Sequence, residues 1–162
     1  MQDTYTTPTS EDIPSKAAVA RHPIHPMVII FPIASFVFAL LTDILYLVTT
    51  DEFWARSSLY LIMAGVVTGA VAGAVGAIDY LTIPRVRSIR AATFHGLGNV
   101  IVLVLGIANL MARVNDYVEG LRSPGIILSV VIGLLLLGTG WLGGELVYRH
   151  KVGIDSRGVD QH

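Results

Sequence analysis

Four long apolar runs, near residues 27–49, 58–80, 94–112 and 126–148, constrain the fold of this chain more than any other feature. At about 1.5 Å of rise per residue, a run of about 20 residues crosses the roughly 30 Å hydrocarbon core of a bilayer as a helix. The composition agrees: charged residues make up 14 %, against about 25 % in a soluble globular protein. That leaves too little charge to cover a water-facing surface. The expectation is an all-α fold, a four-helix transmembrane bundle.

The connections are short, which favours an up-down-up-down arrangement over two separate domains. Lys16, Arg21, Arg85, Arg87, Arg90, Arg149, Lys151 and Arg157 flank one side of the four runs. The other loops carry only Arg56, Arg113 and Arg122, together with Asp51, Glu52, Asp116 and Glu119. This Lys/Arg bias predicts both termini in the cytoplasm, with the protein in a bacterial cytoplasmic membrane. Trp54, Tyr60 and Tyr117 fit one aromatic interface and Tyr80 and Tyr148 the other, whereas Trp141 lies deeper and is expected to pack inside the bundle. Residues 1–20 read as a flexible polar segment, 21–150 as the transmembrane domain and 151–162 as a polar tail. The polar start carries Asp3, Glu11 and Asp12 in place of a basic n-region, so no cleavable signal peptide is expected. No paired repeat stands out.

Several chemistries are excluded. The chain has no Cys, which removes disulfides, thiolate metal centres, cysteine nucleophiles and covalent c-type haem attachment. A formal charge of −1 and a pI near 6.5 give no basic surface for nucleic acid. There is no serine nucleophile elbow and no HExxH pattern for a hydrolase. Gly65, Gly69, Gly73 and Gly76, with Gly133, Gly138, Gly140, Gly143 and Gly144, form small-residue surfaces that allow close helix contact, within one chain or across a homo-oligomer.

The polar residues inside or beside the runs carry the functional argument, because ionisable groups in a membrane must face the bundle, water or a partner. Alternating helix directions bring His22, His25, Asp79, His95 with Asn99, and Glu145 with His150 to one face. His22 and His25 are restrained by Pro23 and Pro26, and they serve either as interfacial structure or as ligands. Asp79 and Glu145 are candidate metal ligands or proton-transfer groups, or ion-pair partners of Arg85, Arg87, Arg90 or Arg149. His95 and Asn99 share a helix face four residues apart, so Asn99 can orient His95 or contact a bound group. At the opposite end, Asp43 is expected to pair with Arg113, one turn beyond Asn109, and to pin the first helix to the third.

The stretches His22-Pro23-Ile24-His25-Pro26, Phe31-Pro32-Ile33, Gly76-Ala77-Ile78-Asp79-Tyr80, His95 with Asn99, and Gly143-Gly144-Glu145-Leu146-Val147-Tyr148 through Gly153 resemble the DUF2231 family of small predicted membrane proteins. That family name supplies no reaction. Its association with cytochrome-like modules implies membrane redox chemistry.

Three functional classes follow. The first is a redox-associated membrane protein holding haem b through His25 and His95, with Asn99 beside them. In its non-haem form, a transition metal takes its ligands from His22, His25, Asp79, His95 and Glu145. Partners would be the lipid bilayer and a redox protein or membrane complex. The second is a structural or partner-binding subunit without cofactor. The third is a proton-coupled channel or transporter using Asp43, Asp79 or Glu145.

Overall fold

The computed structural model describes residues 12–155, which are mostly helical, with one two-residue strand pair. Residues 1–11 and 156–162, more than half of the two polar ends, lie outside the described residues. Strands β1 (Ala18–Val19) and β2 (His22–Pro23) pair antiparallel and lead into α1 (Ile24–Val28) and α2 (Ile30–Thr49). Then come α3 (Glu52–Thr82), α4 (Pro84–Arg87), α5 (Arg90–Arg113), α6 (Tyr117–Gly120), a kink over Leu121–Gly125 in which Ser123 is extended, and α7 (Ile126–Tyr148). Ile24–Thr49, Glu52–Thr82, Arg90–Arg113 and Tyr117–Tyr148 are long and apolar enough to cross a membrane. The shortest has 24 residues, about 36 Å of helix against a roughly 30 Å hydrocarbon core.

Local chemistry sets the helix ends. Pro32 lacks an N–H and its ring opposes the carbonyl four residues back, so α1 stops at Val28 and α2 begins at Ile30. Thr50 takes the left-handed conformation that closes α2, and the Asp51 carboxylate then accepts the Phe53 N–H at 2.9 Å to start α3. Asp116 does the same for α6, accepting from Val118 and Glu119 at 3.0 Å each. Ile83 is extended, as a residue before proline prefers, and Pro84 opens α4.

Phe36, Ala39, Ile62, Val102 and Ile132, from α2, α3, α5 and α7, form the central apolar layer. The Phe36 ring lies where a Cβ on Gly65 or Gly106 would stand, at 2.9 and 2.8 Å, so both helices need glycine to approach it. Gly69, Gly76, Gly133 and Gly143 also turn inward, against Leu103 and Pro32, His25, Leu40 and His95 respectively. Gly73, Gly138 and Gly140 meet nothing, so the small-residue surface of α3 divides between an inner and an outer face.

The bundle's exterior is apolar, with Val48 77 %, Val67 64 % and Leu137 74 % exposed. In water this would be a severe penalty, and in lipid it is the required surface. Trp141 belongs to that surface at 79 % exposure. The expectation that it packs inside the bundle fails because its helix face points away from α5, toward which Thr139 and Gly143 are turned.

The described part of the segment read as flexible, residues 12–20, is docked on one end of the bundle. Ile13 is buried with Val86, Ala92 and Leu146. It bridges to Val152, donating its N–H to Lys151 O and accepting from Gly153 N. At the other end Tyr46, Ala55 and Leu121 pack with Trp54, Tyr117 and Val118.

Candidate functional site

Two polar clusters lie at opposite ends of the bundle, separated by the Phe36 layer. The first joins all four long helices: Asp43 of α2, Ser58 of α3, Asn109 and Arg113 of α5, and Ser129 of α7 are all buried. Arg113 forks onto Asp43, Nη1 to Oδ1 at 2.6 Å and Nη2 to Oδ2 at 2.8 Å. Its Nη1 also donates to Ser58 Oγ at 2.9 Å, its Nε to Asn109 Oδ1 at 2.8 Å and its Nη2 to Ser129 Oγ at 3.3 Å. Ser129 Oγ accepts from Asn109 Nδ2 and donates to Asp43 Oδ2 at 2.6 Å.

Gly125 closes over this cluster. A Cβ there would stand 2.8 Å from Arg113 Nη2 and 2.3 Å from Gly120 O, so the kink needs glycine at that point. The predicted Asp43–Arg113 pairing is present. Sequence reading missed Ser58, Ser129 and Gly125, although each hydroxyl is a polar interruption in an apolar run, which is the signal that marks them. Among the described residues no buried side-chain nitrogen or oxygen lacks a partner.

The second cluster centres on two imidazoles. His25 lies where α1 enters the bundle and His95 on the first turns of α5, both half-buried. Their ring centres are 6.2 Å apart and the planes nearly perpendicular, at 86°. His25 Nδ1 lies 2.9 Å from Ala72 O, and His95 Nδ1 lies 2.9 Å from Thr139 O. A carbonyl only accepts, so each Nδ1 carries a proton and turns Nε2 away from that carbonyl. Gly76 and Gly143 seat the rings: a Cβ would come within 3.0 Å of His25 Nδ1 and 3.1 Å of His95 Cε1. Asn99 donates from Nδ2 to the His95 carbonyl at 2.8 Å and to His95 Nε2 at 3.2 Å, so it covers the face a ligand would use.

The remaining residues singled out in the sequence have other partners. Asp79 binds the N-terminal segment, accepting from Ser15 Oγ, from Lys16 N at 2.8 Å and from Ala17 N at 3.0 Å. Glu145 lies 3.8 Å from Arg149 Nη1 and 3.9 Å from His150 Nε2. His22 is exposed and bonds the Ala20 carbonyl. Of the five residues proposed as metal ligands, the structure brings together His25 and His95. Among the described residues no group of three or more His, Asp or Glu side chains is arranged to hold a metal ion.

No curated protein and no solved structure matches the chain. The family model for predicted membrane proteins, DUF2231, matches residues 21–156, which takes in all four spans and both polar clusters. The chain is an integral membrane protein and belongs to the DUF2231 family.

Proposed function

We propose that His25 and His95 form a two-imidazole ligand site, and that the protein is a small redox-associated membrane protein. One observation carries this reading: two imidazoles from different spans meet edge to face with both Nδ1–H groups held by backbone carbonyls. Such outer hydrogen bonds fix the tautomer of metal-binding histidines and raise their basicity. The ring centres are 6.2 Å apart, close enough for both imidazoles to reach one bound group.

A two-nitrogen donor set would serve haem b, with His25 and His95 as the residues that would hold it, better than a non-haem ion that needs three or four protein ligands. When bound, such a group supplies one-electron chemistry. The chain's part is to orient the imidazoles, move Asn99 off Nε2 of His95 and exclude water. An up-down-up-down crossing of a bacterial cytoplasmic membrane with both termini in the cytoplasm puts this site on the cytoplasmic side, next to a redox or membrane-complex partner. The test is titration of the purified protein with ferric protoporphyrin. Saturation near one per chain, abolished in His25→Ala and in His95→Ala, is expected, and binding by both variants as tight as that of the unmodified protein would refute the site.

A second reading, a structural or partner-binding subunit without cofactor, is favoured by the completeness of the hydrogen bonding, since every buried polar side-chain atom described has a partner inside the bundle. Proton-coupled transport has less support, because the apolar Phe36 layer separates Asp43 from His25.

A further inference from the structure

The contacts at the two ends come in matched sets. His25 and His95 are separated by 70 residues, the same spacing as Asp43 and Arg113. His25 bonds Ala72 O with Gly76 one turn on, while His95 bonds Thr139 O with Gly143 one turn on. Ala72 and Thr139 are 67 residues apart, as are Gly76 and Gly143 and the outward Gly73 and Gly140. At the far end, Arg56 lies over the Tyr117 ring at 5.6 Å and Arg122 over the Tyr46 ring at 5.6 Å, each also bonding the hydroxyl. Asp51 caps α3, whose first turns carry Arg56, and Asp116 caps α6, which precedes Arg122.

The tyrosine contacts cross over: an arginine of the first half meets a tyrosine of the second, and the reverse. Reciprocal contacts of this kind mark a two-fold relation between equivalent units. Parallel repeats related by an axis along the membrane normal are a known way of building a membrane bundle. We infer that the chain is a duplicated helical hairpin, α1 to α3 and α5 to α7, and that His25 and His95 are equivalent donors on its pseudo-two-fold axis, positioned by Gly76 and Gly143.

The same axis passes through Asp43 and Arg113. Opposite charges at equivalent positions favour pairing of unlike halves, since two like halves would bring two carboxylates or two guanidiniums together. The repeat is hidden in the linear sequence because the matching offset drifts, from 70 in the first helix to 65 at the capping aspartates and 67 in the second helix. Asn99 departs from the symmetry: Ile29, with no side-chain donor, occupies the matching position.

This inference rests on the ligand-site reading for its consequence: the bound group must accept two equivalent nitrogen donors from opposite halves, which an iron porphyrin does. The full-length chain in lipid nanodiscs is titrated with ferric protoporphyrin, and imidazole ¹⁵N spectra are recorded without it. Gly76→Ala and Gly143→Ala should each weaken binding by about 10–100-fold, the usual range for outer-shell changes, and alter the absorption of the bound porphyrin. Gly73→Ala and Gly140→Ala, at the matched outward positions, should leave both unchanged. In the ligand-free spectra both rings should report Nδ1–H, with Gly76→Ala moving the His25 signals and Gly143→Ala those of His95. Opposite tautomers, or an effect from only one of the inner glycines, would overturn the equivalence. If the unmodified chain binds no porphyrin, the cofactor reading falls by itself and the ¹⁵N spectra still decide the equivalence.

Discussion

Arg113 has five N–H donors, and Asp43, Ser58, Asn109 and Ser129 supply an acceptor for each. A lysine has one point charge and three donors, so it cannot replace this fork. Asp43→Ala leaves a guanidinium buried beside an apolar layer. It should destabilise the bundle by about 3–5 kcal/mol, whereas Asp43→Leu with Arg113→Met should recover most of that loss. Reversible unfolding in detergent measures both, and equal loss in the single and double variants would show that the pair is not the source. This pairing was legible in the sequence because both charges interrupt apolar runs. Ser58 and Ser129 were less so, because a serine in a helix can bond its own backbone and need not mark a contact.

Among the elements, the N-terminal segment adds most to what the sequence suggested. Asp79 reads as a candidate ligand when helix directions alone are considered, since it falls at the histidine end of α3. Its carboxylate is taken up by Ser15, Lys16 and Ala17, a long-range contact that no local pattern announces. Ala17 O then accepts the Ile24 N–H, next to His25. Asp79→Ala should release this strap while leaving the helices intact. Loss of charge-assisted bonds of about 1.5–3 kcal/mol should speed exchange of the Lys16 and Ala17 amides by roughly tenfold to a hundredfold. Unchanged protection, with the central helices as reference, would mean that Ile13 packing alone holds the strap.

For the whole molecule, the four spans were plain in the sequence because lipid imposes a length and a composition that few folds share. Which side of each helix faces inward was not, and Trp141 shows why: a tryptophan is as apolar to lipid as to a protein core, so hydropathy does not assign its face. The proposed orientation predicts that single cysteines introduced at positions 16 and 151 are labelled only from the cytoplasmic side, and one at position 116 only from the opposite side; any other pattern would reverse or break it. The bundle holds two polar centres, and the proposed ligand-binding task falls to the second. The Asp43–Arg113 cluster binds its own members completely, whereas the His25/His95 pair spends both Nδ1 groups on backbone carbonyls and lends His95 Nε2 to Asn99.

The most direct measurement of that task is the oxidised and reduced absorption spectrum of protein purified in mild detergent without added metal, with elemental analysis and subunit stoichiometry on the same sample. The expected result is a near-stoichiometric Soret band that disappears in His25→Ala and in His95→Ala. A folded protein that carries no haem, and acquires none when ferric protoporphyrin is supplied, would contradict it.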